Sequence, residues 1–332
     1  MERVRHPKAV AARILRPDRL LLATHIRPDG DALGSLLGLA LGLEKLGKEV
    51  ARLCAGPVPP NYRFLPSSDR ISSQDPGWPE APAVVVDCDG LARAGPLAGP
   101  LSRAPLVIDV DHHASQQAFG DLAWIEPRAT ASGELVYRLL RALKVPLDAE
   151  IATCLYCAII TDSGRFTFAN TRPRALRIAA RLIEAGADPR AIAQNIYEEK
   201  SLAATHLLAR VLGKAAGYLE GRVILASLVP DDFAATGALA SESEGIIDHL
   251  RAVTSAEVAV VLTEVGNGEV RASLRSRGEV DVAKIAAAFD GGGHFAAAGC
   301  SLFGDLEGAR CRLLDKIGEA LAELEALPAG SA

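Results

Sequence analysis

Three apolar runs in the first half of the chain, Leu20-Leu21-Leu22-Ala23, Ala83-Val84-Val85-Val86 and Leu106-Val107-Ile108, all lead directly into carboxylates and imidazoles. Short apolar runs bounded by turn residues read as buried strands, so the polar residues begin where each strand leaves its sheet. A helical pattern from about Ala32 to Leu46 and another strand pattern from Glu49 to Cys54 alternate with them. This strand-helix-strand order is that of a parallel α/β sheet, and open α/β sheets bind ligands beyond the carboxyl ends of their strands. His25, Asp29, Asp31, Asp87 and the Asp111-His112-His113 triplet all fall at that edge.

The pattern changes along the chain. Gly56 to Pro82 and Gly95 to Pro105 are rich in proline and glycine and read as loops, and helices dominate from Ser132 to about Ala185. A polar helical stretch from Pro189 to Leu212 follows, and then strands over 222–229 and 256–265, with Asn267-Gly268 as a hairpin turn into Glu269 to Arg275. The expected architecture is α/β, with a parallel-sheet domain over 1–188, a helical linker over 189–220 and a smaller α+β domain over 221–332. At 332 residues there is chain enough for two cores of ordinary size.

Composition removes several classes of function. No apolar run approaches the ~20 residues that span a bilayer, and the start, Met1 to Pro7, carries no export signal, so a cytoplasmic location is expected. The six cysteines sit at 54, 88, 154, 157, 300 and 311 and are expected as reduced thiols. Cys154-x-x-Cys157 lies in an apolar helical pattern with no second pair, which reads as core packing rather than a zinc or redox site. A net charge of −5 argues against a protein that coats long nucleic acid. A small anionic substrate in a local pocket remains open.

Asp87 ends its strand, His112 follows its own, and Asp162 ends the apolar helix from Glu150 to Thr161. Taken singly, each has an ordinary reading: Asp29-x-Asp31 before a helix is a cap, and a His-His pair is a surface or core feature. Together, four carboxylates and two imidazoles leaving buried elements would repel and desolvate one another without cations between them. An oxygen and nitrogen donor set without thiolate favours Mn²⁺, with Mg²⁺ as the alternative. Two such ions ~3.5–4 Å apart polarise a phosphoryl group and activate water.

These residues also resemble a known family, the DHH phosphoesterases. Thr24 to Ser35 is similar to the first family motif, Val86-Asp87-Cys88-Asp89 to the second, Asp111-His112-His113 to the motif that names the family, and Ile160 to Phe166 to the fourth. The resemblance implies His25 and Asp29 on one metal, Asp31, His112 and Asp162 on the other, and Asp87 bridging them. Asp89 is a second candidate for that bridge. His113 would face the substrate phosphate and act in catalysis with Asp87 and Asp162, while Arg165 would touch substrate. Gln116-Gln117 stands where relatives often carry asparagine.

In the second domain Ser273, Arg275 and Arg277 alternate along a predicted strand and so share one face. Gly291-Gly292-Gly293-His294 reads as a loop whose bare backbone N–H groups can approach an anion. Both resemble the DHH-associated C-terminal domain, which implies that Ser273, Arg275, the three glycines and His294 bind substrate in a cleft between the domains. The implied activity is a manganese-dependent phosphodiesterase. It would degrade short RNA or DNA oligonucleotides to mononucleotides and dephosphorylate 3′-phosphoadenosine 5′-phosphate (pAp), with an isologous homodimer as the default assembly. A RecJ-like single-strand DNA exonuclease and a cyclic dinucleotide phosphodiesterase share the motifs. From a different class, a non-enzymatic nucleotide sensor would be expected to have lost ligands, and these are intact. Manganese pyrophosphatases share the first ligands but lack the glycine-histidine run. His206 and His249 belong to no motif and read as structural or surface residues.

Overall fold

In the computed structural model, which describes residues 1–113 and 118–326, the chain separates into two units, Met1–Glu199 and Lys200–Ala332. The first unit runs β1 (Glu2–Arg3), α1 (Pro7–Ile14), β2 (Arg19–Ala23), α2 (Gly30–Glu44), β3 (Glu49–Leu53), β4 (Ile71–Ser72), β5 (Ala83–Val86), α3 (Ala98–Ser102), β6 (Val107–Asp111), β7 (Leu122–Ile125), α4 (Ser132–Ala142), α5 (Ala149–Asp162), α6 (Pro173–Glu184) and α7 (Pro189–Ala193). Its strands form one parallel sheet in the order β1-β7-β6-β5-β2-β3-β4. The chain moves outward from β2 to β3 and β4, then returns to β5 on the other side of β2. That reversal is a topological switch point, and it opens a crevice between the carboxyl ends of β2 and β5.

Leu20, Leu22, Val84 and Val86 face a core shared with α2, α4 and α5, while Leu21, Ala23, Ala83 and Val85 face a second core with Leu97 and Leu101. Burial on both faces explains why these strands are continuous apolar runs. β6 extends to Asp111, three residues past the apolar run that ends at Ile108, because Asp111 pairs with Ile125 of β7. Asp111 is thus a strand residue with no exposure to solvent.

The second unit runs α8 (Leu202–Leu212), β8 (Ala216–Tyr218), β9 (Val223–Leu228), α9 (Pro230–Thr236), α10 (Ile246–Arg251), β10 (Val258–Gly266), β11 (Glu269–Ser276), α11 (Val282–Ala287), β12 (Gly292–His294), β13 (Ala297–Phe303) and α12 (Leu306–Ala326). Its mixed sheet has the order β12-β13-β11-β10-β9-β8, with β9 and β10 parallel and the other pairs antiparallel. Asn267 and Gly268 turn the β10–β11 hairpin with φ of 51° and 72°, the left-handed pair that such a turn requires.

The helical stretch expected as a linker divides between the units. Ile192 and Ile196 pack into the first core, whereas Leu207 and Val211 of α8 pack into the second. Among the described residues no helix is long and apolar enough to cross a membrane, and no disulfide links the cysteines, of which Cys311 alone is exposed.

Asp232, fully buried in the first turn of α9, ties that helix to the end of α8. It accepts hydrogen bonds from Arg210 Nε at 2.7 Å and the Val229 N–H at 3.0 Å, and it pairs with Lys214. Burial works against its charge, but these donors hold the carboxyl below its ordinary pKa. A depressed carboxylate pKa stabilises the fold at neutral pH, and that contribution is lost as the pH falls through the carboxylate range. Asp232→Ala is expected to cost about 1–3 kcal/mol at pH 7, nearer the lower figure because both cations are partly exposed. Denaturant midpoints of the two proteins should then converge below about pH 4.

Candidate metal centre

Gly30, Gly34 and Gly38 lie four residues apart along α2 and meet α5, which runs antiparallel to it. A Cβ at Gly34 would stand 2.3 Å from the Cys154 carbonyl oxygen, one at Gly30 2.4 Å from Thr161 Cγ2, and one at Gly38 2.7 Å from Leu155 Cδ2. Only helices this close bring Asp31, in the first turn of α2, beside Asp162, the last residue of α5. Cys154 and Cys157 are buried in the same contact, so the C-x-x-C is a packing feature. A Cβ at Gly133 would lie 2.5 Å from Ala158 Cβ, which draws the start of α4 to the same point.

Three carboxylates surround one imidazole nitrogen there. His112 Nδ1 lies 3.2 Å from the Ala129 carbonyl, which accepts its proton and leaves Nε2 as the lone-pair side. Nε2 faces Asp31 Oδ2 at 3.5 Å, Asp87 Oδ1 at 3.6 Å and Asp162 Oδ2 at 3.6 Å. These gaps are long for hydrogen bonds, yet they suit donors grouped around a cation at about 2.0–2.2 Å from each. Asp87 also turns Oδ2 toward His25 Nε2 at 3.8 Å. His25, Asp29 and Asp87 offer donor atoms within 4.8 Å of one another, and so do Asp31, His112 and Asp162. Asp87 therefore sits at the junction of two donor groups.

The backbone supports this placement. Asp87 follows β5 in the left-handed region, at φ 53°, a costly conformation for a residue other than glycine that recurs at functional sites. Its N–H bonds the Val110 carbonyl at 3.1 Å. Asp29 does cap α2, accepting from the Ala32 N–H at 3.0 Å, and still belongs to the donor group. Buried His25 Nδ1 has no hydrogen-bond partner among the described residues. The nitrogen turned toward the carboxylates is Nε2, 3.8 Å from Asp87 Oδ2, too far for a hydrogen bond and suited to a cation between them.

Electrostatics point the same way. Burial, then the charges of Asp87, Asp162 and Asp29, push Asp31 well above the usual carboxylate range. Burial and Asp29 raise Asp87, and burial, reinforced by Asp87 and Asp29, lifts Asp162 to about 6 against the pull of His112. Asp111 behaves oppositely. Burial opposes its charge, but His113, with Nδ1 2.8 Å from Oδ1, holds it at about 2. Burial alone would lower His113, and Asp111 instead lifts it to about 10.

Residues without a motif of their own complete the centre. Asp31 accepts from the Ser132 N–H at 2.6 Å, the Gly133 N–H at 2.9 Å and Ser35 Oγ at 3.0 Å. Ser132 Oγ donates to Asp87 Oδ1 at 3.0 Å. The positive end of α4 thus faces the carboxylates, a role legible only as a helix start at Ser132. Asn170 Nδ2 donates to Asp162 Oδ2 at 3.3 Å, and no sequence signal marked it.

Beyond Asp162, Gly164, Arg165 and Phe166 take φ of 53°, 62° and 63° in succession. Strain of about 1–3 kcal/mol at each non-glycine position persists only where surroundings enforce it. Here the Arg165 guanidinium stacks 4.5 Å from the Tyr197 ring centroid, three residues past Asp162 in the chain. Asp89 is half-buried outside the donor groups, and Gln116 and Gln117 lie outside the described residues.

In the second unit Ser273 and Arg275 share the outer face of β11, as expected. Arg277 does not join them. It lies past the end of the strand, where its guanidinium donates to the Val253 and Thr254 carbonyls at 2.9 and 3.0 Å. The glycine-histidine run is also not simply a loop: Gly292–His294 form an edge strand on β13. A Cβ at Gly291 would stand 2.3 Å from the Gly299 carbonyl and one at Gly293 2.5 Å from that of Ala297, so close strand packing demands these glycines. His294 enters through its backbone, and its side chain lies outside what the structure describes. His206 and His249 are exposed on α8 and α10.

Known proteins are similar to this chain over both units. Residues 19–159 match the model of the DHH family, N-terminal domain, and residues 220–327 match the DHHA1 domain. A bifunctional oligoribonuclease and PAP phosphatase NrnA of Thermus thermophilus is 36% identical over 91% of this chain and 90% of its own length. The Bacillus subtilis protein of that description is 28% identical over 93% and 95%. Among solved structures, an exopolyphosphatase-related protein of Bacteroides fragilis superposes with a TM-score of 0.84 at 25% identity, covering 96% of each chain.

Because the glycine contact sets the spacing of Asp31 and Asp162, Gly34→Ala should loosen the centre without touching a donor atom. Mn²⁺ affinity measured by calorimetry is expected to fall about tenfold or more. Gly99→Ala, whose Cβ would meet nothing nearer than 3.7 Å, should leave it unchanged.

Proposed function

Because the chain belongs to the DHH family, carries a DHHA1 domain and is a hydrolase of phosphoric ester bonds, we propose that it degrades short oligonucleotides to mononucleotides and dephosphorylates pAp. The observation that carries this reading is Asp87, shared between two donor groups, in a chain similar over nine-tenths of its length to an oligoribonuclease and PAP phosphatase. His25, Asp29 and Asp87 would hold one divalent ion, and Asp31, His112 and Asp162, again with Asp87, a second. Mn²⁺ suits this mixture of imidazole and carboxylate best. Bound there, such ions supply Lewis-acid polarisation of the phosphoryl group and acidify water.

The remaining roles belong to the chain. Ser132, Gly133 and Ser35 hold Asp31, and Asn170 holds Asp162, so the ligand oxygens are oriented in advance. Asp111 orients His113, which presents its other ring nitrogen to the substrate phosphate. Arg165, braced on Tyr197, is a second phosphate donor. Ser273, Arg275, the glycine edge and His294 bind substrate on the second unit. The cysteine thiols suit a reducing cytoplasm.

Purified protein with Mn²⁺ should hydrolyse RNA of two to five nucleotides and pAp faster than long single-stranded DNA, pyrophosphate or cyclic di-AMP. Preference for long DNA would replace this reading with a RecJ-like one. Asp87→Ala should abolish turnover and metal occupancy together. Arg275→Ala should raise KM about ten- to a hundredfold with metal content unchanged, the worth of one charge-assisted hydrogen bond; loss of metal would show that Arg275 serves the metal centre instead.

A further inference from the structure

Phe295 is half exposed, at 51%, at the tip of the β12–β13 hairpin. Its pedestal is rigid. The Phe295 carbonyl accepts from the Val282 N–H at 3.0 Å and the Ala296 carbonyl from the Ser276 N–H at 2.9 Å, so both tip residues are tied to flanking elements. The cross-strand register places Ala297 opposite Arg275 on one side and His294 on the other, which puts the tip beside Arg275. Ala297 and His294 complete the row of Arg275, and Ser273, Gly299 and Gly292 form the next row, so the strand between β11 and β12 carries only Ala297 and Gly299 across these two rows.

An aromatic ring left in water on a fixed tip, beside a small-residue surface and a guanidinium, has the parts of a nucleotide site. The ring offers a face for a base, and the guanidinium offers charge for the phosphate. Two strand spacings, about 10 Å, separate the Arg275 backbone from β12. The geometry points to Phe295 as the residue that stacks the nucleobase of the nucleotide whose phosphate Arg275 holds. This rests on the substrate reading above and deepens it: affinity for nucleotides comes from a base, with little choice among bases, because every base has a face to stack.

Phe303 supplies the control. It is more exposed, at 70%, and ends the same strand β13, about 20 Å along it from Ala297. Phe295→Ala should raise KM for dinucleotides and pAp about tenfold, the worth of one base on one ring, with kcat within about twofold. Phe295→Trp should restore KM, and Phe303→Ala should leave it alone. A second measurement does not depend on hydrolysis. The two native tryptophans, Trp78 and Trp124, both lie in the first unit. In EDTA, the added emission of Phe295→Trp should be quenched by AMP and by pAp but not by ribose 5-phosphate or inorganic phosphate. Equal KM effects of the two alanine variants, or quenching by ribose 5-phosphate alone, would overturn the assignment. Failure of the wild-type protein to hydrolyse any nucleotide would sink the substrate reading, and the quenching by AMP would still decide the role of Phe295.

Discussion

Three carboxylates, the buried Asp31 and Asp87 and the half-buried Asp162, converge within 3.6 Å of one imidazole nitrogen, and their mutual repulsion governs the architecture around them. Burial and like charge raise all three above their ordinary range. Left alone, such a cluster would drive its own elements apart. The fold opposes that with hydrogen-bond donors, the two N–H groups opening α4, the hydroxyls of Ser35 and Ser132, and the Asn170 amide. The residual negative charge is what a bound metal ion would neutralise.

Much of the surrounding structure can be read as the means of holding that cluster together. Glycines on α2 bring it against α5 at backbone distance, because any side chain at Gly34 would strike a carbonyl. The switch in strand order between β2 and β5 sets Asp29 and Asp87 on either side of one crevice. Left-handed backbone at Asp87 and from Gly164 to Phe166 re-aims the chain where β5 and α5 end. Each device places strain or close packing next to the donor groups, where secondary structure alone would not bring the side chains together.

A different logic governs the second unit. Its glycine run is an edge strand pressed against β13, so those residues are small because backbone lies where side chains would be. That packing also sets only Ala297 and Gly299 of β13 beside Arg275 and Ser273 and presents Phe295 on a fixed tip. Arg277 shows how a period-two pattern misleads at the end of a strand. Once β11 stops at Ser276, alternation no longer says where the next side chain goes, and Arg277 turns to the Val253 and Thr254 carbonyls.

By itself, the order of residues determined the alternation of strand and helix and which polar side chains stand where the apolar runs end. Apolar runs ending in Asp and His announce buried strands and what stands at their ends, and periodicity is a local property. It could not determine that β5 returns beside β2, that Asp87 faces both His25 and His112, or that Ser132 and Asn170 steady the ligands. Those depend on contacts between residues far apart in the chain, such as the Ser132 N–H on Asp31. Strand order, helix approach and backbone strain are settled by packing the whole unit at once, and only the tertiary structure carries them.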